Sequence, residues 1–117
     1  MASLNMQGPY QLTDKEIDTQ VTKTSPGNYG LGYTNSSNTF IVNYVARSDD
    51  DLNDRLHDWA GKYKEFKYSY APSAKAAFEK ECQNYHDFGK KENLDNKVHP
   101  DRPNDSGWTC PRCTIFN

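Results

Sequence analysis

The run Thr39-Phe-Ile-Val-Asn-Tyr-Val-Ala46 constrains the fold more than any other stretch of the chain. It is β-branched and aromatic without interruption, which favours a strand over a helix. A strand needs partners, and two other segments offer them. Tyr29 to Tyr33 reads as a short strand weakened by Gly30 and Gly32, and Asn35 to Asn38 between the two reads as a hairpin loop. Glu65-Phe-Lys-Tyr-Ser-Tyr70 alternates apolar and polar residues and reads as a third strand.

Helices fill the intervals. Thr13-Asp-Lys-Glu16 has the spacing of a capping box, so a short helix starts there and ends before Ser25-Pro26-Gly27. Ser48 is expected to cap a helix running to about Ala60, with Asp49, Asp50 and Asp51 at its positive end. Leu52, Leu56 and Trp59 form its apolar stripe. Pro72-Ser73 introduces a second long helix, from about Ala74 to Phe88. Ala74, Ala77, Phe78, Cys82, Tyr85 and Phe88 form its buried stripe. Residues 1–12 read as a loose polar leader. The pattern predicts a small α+β fold, a three-stranded and mostly antiparallel sheet flanked by helices. Residues 1–25 form a leader and short helix, 26–97 the domain, and 98–117 a tail packed on it.

Of the 117 residues, 34% are hydrophobic and 26% charged, so the core is small and leans on aromatic side chains. No apolar run approaches the ~20 residues of a membrane span, and no secretory signal is evident. The expectation is an intracellular protein with no membrane contact. A net charge of −2 speaks against strong non-specific nucleic-acid binding while allowing a local basic patch. Lys62, Lys64 and Lys67, with Lys75 and Lys80 later, suit either such a groove or a solvated face.

The tail has no core of its own. It carries Trp108-Thr-Cys110-Pro-Arg-Cys113, a C-x-x-C pair outside the helix N-terminus that redox dithiols favour. The other cysteine is Cys82, followed by His86 four residues later on the same helical face. Cys82, His86, Cys110 and Cys113 would complete a structural Zn²⁺ site, with His99 as a rival fourth ligand. Such an ion would staple a core-poor domain together.

The stretch from Gly27 to Asn96 resembles the GIY-YIG nuclease domain. Gly27-Asn28-Tyr29 and Tyr44-Val45-Ala46 stand at its two signatures, Leu52-Asn-Asp-Arg55 at its Leu-x-x-Arg helix, and Asn96 at its late asparagine. The glutamate of its later helix is Glu81 or Glu79. Helix phase favours Glu81, which falls within the apolar stripe and there needs a partner such as a metal or Arg55. The narrower resemblance of the tail is to a small GIY-YIG-like subgroup. Gly107 to Asn117 also resembles the first half of a RanBP2-type zinc finger.

The resemblance implies a metal-dependent endonuclease that hydrolyses DNA. Tyr29 and Tyr44 activate or orient water, Arg55 holds the phosphate, and Glu81 holds Mg²⁺ or Mn²⁺. Asn96 stabilises the site from the next segment. Asn28, Ala46 and Trp59 depart from the family's usual residues. His57 lies about 200° around the helix from Trp59, so it does not replace the family's His or Tyr there. These departures point to an alternative, a catalytically inactive module that binds nucleic acid or protein.

Overall fold

A computed structural model describes Leu4, residues 6–96, Pro100 and residues 107–111. The central hairpin joins β2 (Gly27–Thr34) to β3 (Phe40–Ser48). β4 (Glu65–Tyr70) pairs with the other side of β2, and β1 (Gln7–Gln11) pairs with β4. The sheet order is β1-β4-β2-β3, and every pairing is antiparallel. The helices are α1 (Asp14–Gln20), α2 (Leu52–His57), α3 (Ala74–Asp87) and a single turn, α4 (Lys90–Asn93). No helix among the described residues is long and apolar enough to cross a membrane.

Two expectations are corrected. The polar leader contains β1, so the sheet has four strands rather than three. Gln7, Gly8, Pro9 and Gln11 give no apolar alternation, and the strand is held by backbone pairing plus Tyr10, which packs on Phe66 and Tyr68. Pro9 is tolerated because β1 is an edge strand. The helix expected from Ser48 to Ala60 is also shorter. β3 continues through Ser48, and Asp51 is the N-cap, its carboxylate accepting from the Asp54 amide. Ser48 instead uses its hydroxyl to accept from the Asp51 amide, bracing the turn into α2.

Helices cover both faces of the sheet. Ile17 and Val21 of the α1 region and Leu52 and Leu56 of α2 pack with Tyr29, Leu31, Ala46, Phe66 and Tyr68. On the other face Tyr85 of α3 and Leu94 pack with Val45 and Leu4. Strict alternation along β3 cannot serve both faces, because Val42 and Val45 are three residues apart and share one cluster. A register slip resolves this. Leu31 pairs with Tyr44 while Gly32 pairs with Val42, so Asn43 is an extra residue on β3. The bulge turns Tyr44 and Ala46 toward the face of Tyr29. Gly32 is required there, since a Cβ would stand 1.8 Å from the Ile41 carbonyl oxygen.

α2 is fastened to α1 by polar contacts. Asn53 Nδ2 donates to Asp18 Oδ1 and to the Val21 carbonyl, both at 3.0 Å. His57 bridges Asp14 at 2.6 Å and Asp18 at 2.8 Å. The hydrogen bond to Asp14, helped by Asp18, raises the His57 pKa above its usual 6.5 despite some desolvation. The unfolded chain therefore loses this proton before the folded chain does. The bridge contributes fully below pH 6.5, and its contribution is lost as pH rises through the folded pKa. Thermal unfolding against pH should show a fall above pH 6.5 worth at most about 1 kcal/mol, as for ion pairs this open to solvent. His57→Gln should remove that fall.

Candidate functional site

An open cleft of about 440 Å³ lies over the β3 edge of the sheet. Tyr29 from β2, Tyr44 from β3, Arg55 from α2 and Glu81 from α3 all line it. Arg47, Asp49, Asp50, Ala46 and Trp59 complete the lining. The sheet supplies the floor, and the two helices on opposite faces reach around the edge strand to supply opposing walls. Glu79 is not part of this lining.

Arg47 is the residue that sequence reasoning missed. Its Nη1 donates to Glu81 Oε1 at 2.6 Å and its Nε to Asp49 Oδ1 at 2.7 Å. The guanidinium also lies 5.1 Å from the centre of the Phe78 ring. The partner expected for Glu81 from the sequence was Arg55 or a metal, and the structure gives it Arg47. The reason is geometric: past the Asn43 bulge, Arg47 points to the α3 face while Ala46 points to the α2 face. The available signal was the position of Arg47 one residue past an apolar edge of β3, where only a partnered charge can be buried.

Burial pushes the Glu81 carboxyl up to about 7, against the opposing pull of Arg47. Burial lowers the charge affinity of Arg47, but Asp49 and Glu81 outweigh it and hold the guanidinium charged. Arg55 is exposed, and no ion pair occupies it among the described residues. Burial and the neighbouring Tyr44 push the Tyr29 hydroxyl well above its usual value, while the Trp59 side chain and Arg55 oppose the shift. Tyr44 is also raised, by burial and Glu81. Both tyrosines are neutral phenols at physiological pH. Trp59 stacks obliquely on Tyr44 with ring centres 4.6 Å apart, so it occupies wall space beside the hydroxyls. His57 serves α1 instead and is not part of the cleft lining.

Asn96 does not line the cleft. Its Oδ1 accepts from the Val45 amide at 3.0 Å and its Nδ2 donates to the Val45 carbonyl at 2.7 Å. A single side chain thus satisfies both backbone groups of one residue on the exposed edge strand, between Tyr44 and Ala46. Asp95 adds a backbone bond to Asn43 at the bulge. Asn28 also faces away from the cleft, its buried Nδ2 donating to the Ala77 carbonyl of α3 at 2.8 Å.

Cys82 and Cys110 are buried, unoxidised and in one cluster with Phe78 and Trp108. No group of three metal-ligating side chains forms among the described residues. His86 sits one turn beyond Cys82 along α3 and meets the Tyr85 ring edge-on. Cys113 and His99 lie outside the described residues. The chain matches no protein-family model, no curated protein and no solved structure.

The Glu81 carboxyl makes a pH-dependent contribution of known sign. The unfolded chain releases this proton near pH 4.5, while the folded chain keeps it to about pH 7. Stability therefore declines as pH rises across that window, by an amount on the order of 3 kcal/mol. Glu81→Gln should flatten the decline in denaturant unfolding measured at several pH values. An unchanged slope would mean that the carboxyl ionises as freely folded as unfolded.

Proposed function

We propose that this cleft hydrolyses phosphodiester bonds in DNA in the manner of the GIY-YIG nucleases it resembles. One observation carries the reading: Tyr29, Tyr44, Arg55 and Glu81, from four separate elements, line a single cleft. Cutting a phosphodiester requires a positioned water, charge on the phosphate oxygens and assistance to the leaving oxygen.

Arg55 offers an exposed, unengaged guanidinium fork for two phosphate oxygens. Tyr29 and Tyr44 are neutral, so they orient water and phosphate through their hydroxyls and do not act as phenolate bases. Arg47 holds Glu81 at the wall and screens its charge from Asp49 and Asp50.

The donor set fits Mg²⁺ or Mn²⁺ held by one or two carboxylates and otherwise by water and substrate. Three carboxyl groups, from Asp49, Asp50 and Glu81, face only two guanidiniums in the cleft. Arg47 engages one oxygen of Glu81, Oε1. Mg²⁺ sites of this kind need few protein ligands because phosphate and water complete the shell. Glu81, with Asp49 or Asp50 beside it, would hold the ion. When bound, the ion supplies Lewis-acid charge on the scissile phosphate.

The Arg47–Glu81 pair also favours a second reading, a module that binds nucleic acid through Arg55 without cutting it. A carboxyl already tied to a guanidinium at 2.6 Å is a weaker metal ligand than a free one. Nicking of plasmid and branched DNA with Mg²⁺ or Mn²⁺ separates the two. Wild type should nick, and Arg55→Ala should lose about 100-fold or more, the usual cost of one group that stabilises transition-state charge. Equal activity in both proteins would mean that the site is elsewhere. Binding without nicking would select the module.

A further inference from the structure

We propose that Trp59 and Tyr63 form a stacking shelf for the unpaired bases of a single DNA strand, which runs from the phosphate site at Arg55 across the two rings to a second cavity. The inference names a substrate class for the proposed cleft and rests on that reading of Arg55. Trp59 and Tyr63 follow the end of α2, four residues apart. The Lys62 amide donates to the Trp59 carbonyl at 2.9 Å and closes a tight turn between them. Gly61 takes φ +82° in that turn, where a side chain would be strained, and its amide donates to the Leu12 carbonyl at 3.1 Å. The Leu12 amide donates in return to the Lys64 carbonyl at 3.0 Å. The turn is thereby fastened to the lead-in of α1, and the two rings stand with centres 6.1 Å apart.

Each ring opens to a different cavity. Trp59 lines the cleft together with Arg55. Tyr63 lines a second cavity of about 440 Å³, walled also by Leu12, Thr13, Thr34 and Lys64. Apolar carbon with a few polar groups around it suits a heterocycle with exocyclic donors and acceptors. Neither ring is free to turn. The Trp59 indole N–H donates to the Tyr29 hydroxyl, and its ring packs on Tyr44. The Tyr63 hydroxyl donates to Asp95 at 2.7 Å. Rings already fixed in place lose little freedom when a base stacks on them.

Charge follows the same path. Lys62 and Lys64 are exposed on the turn and extend the positive charge of Arg55 along the shelf, against the exposed carboxylates of Asp58 and Asp95. The Lys62 ammonium lies 5.4 Å from the centre of the Trp59 ring, a cation–π contact made by an exposed, flexible side chain. A base offers that ring face a larger partner, and Lys62 then swings to a phosphate of the strand. An intact duplex cannot use the shelf, because its bases stay stacked on one another inside the helix. With a net charge of −2 on the chain, attraction to the backbone alone is weak, so stacking sets the preference for a single strand.

The test is binding of a short oligothymidylate, and of a blunt duplex of the same length, to the full chain in the presence of a chelator, so that nothing is cut. Wild type should bind the single strand more tightly, and the strand should quench Trp59 fluorescence; Trp59→Phe supplies the background from Trp108. Trp59→Leu should weaken single-strand binding roughly 5- to 150-fold, the cost of one stacked base, and with it remove the preference over duplex. Trp59→Phe lacks the indole N–H but keeps a ring, so it should retain most of the affinity; a merely structural role through Tyr29 would not be rescued this way. Circular dichroism confirms that the variants are folded, and the wild-type comparison needs no variant. Equal affinity of wild type for the two DNAs would overturn the proposal, as would full single-strand affinity in folded Trp59→Leu. Tighter binding of a matched RNA strand would overturn it as a DNA site. Nicking is a separate readout: a Trp59-dependent single-strand preference without nicking upholds the shelf and strikes the nuclease reading alone.

Discussion

The ion pair between Arg47 and Glu81 is the contact on which the cleft depends. It spans from the edge strand to α3 and ties that helix wall to the sheet by an ion pair. When Glu81 is ionised, its buried carboxylate needs the half-buried guanidinium 2.6 Å away, because an unpaired buried charge costs several kcal/mol. Removing Arg47 would leave Glu81 buried without its counter-charge, and removing Glu81 would leave Arg47 with Asp49 alone. The pair joins α3 to β3 at the wall of the cleft opposite Arg55. Its replacement by an apolar pair could keep the fold, since burial of charge contributes little net stability. The pair is therefore better explained by the site than by the core.

The edge strand poses a second problem. β3 is the most apolar strand of the chain and stands at the rim of the sheet, where its unpaired backbone invites association. Asn96 and Asp95 answer this at Val45 and Asn43. Those contacts also hold the two residues that flank Tyr44. The bulge at Asn43 does the complementary work from inside the strand, directing Tyr44 to one face and Val45 to the other. Edge protection and placement of the cleft floor are thus achieved by the same few atoms.

Local signals explain what was legible in the sequence. The capping box at Thr13, the cap at Ser73 and the alternation of Glu65 to Tyr70 act within a few residues, and the elements follow them. β1 was hidden because its stabilisation comes from backbone pairing with β4, which no side-chain pattern records. The start of α2 was displaced because Ser48 serves two neighbours, ending a strand and bracing Asp51. Glu81 was legible from helix phase. Its partner was not, since Arg47 reaches it only after a bulge resets the phase of β3. Asn96 could be recognised as a residue worth noting, but its bond to Val45 spans 51 residues of sequence.

The charge balance of the cleft then sets the terms for any phosphate ligand. With Glu81 ionised, three carboxylates oppose two guanidiniums, and one guanidinium is already committed to two of those carboxylates. A polyanion approaching this surface meets Arg55 as its main attraction. Neutralising the excess requires either a proton on Glu81 or a cation beside it. Burial supplies the first near pH 7, because desolvation penalises the charged carboxyl. On the proposed reading a divalent ion would supply the second and replace that proton. The two neutral tyrosines add hydrogen-bonding capacity without adding charge, so they do not alter this balance. On the proposed reading, competition between a proton and a divalent ion at one buried carboxyl is the step that would separate a cleft that only holds phosphate from one that acts on it.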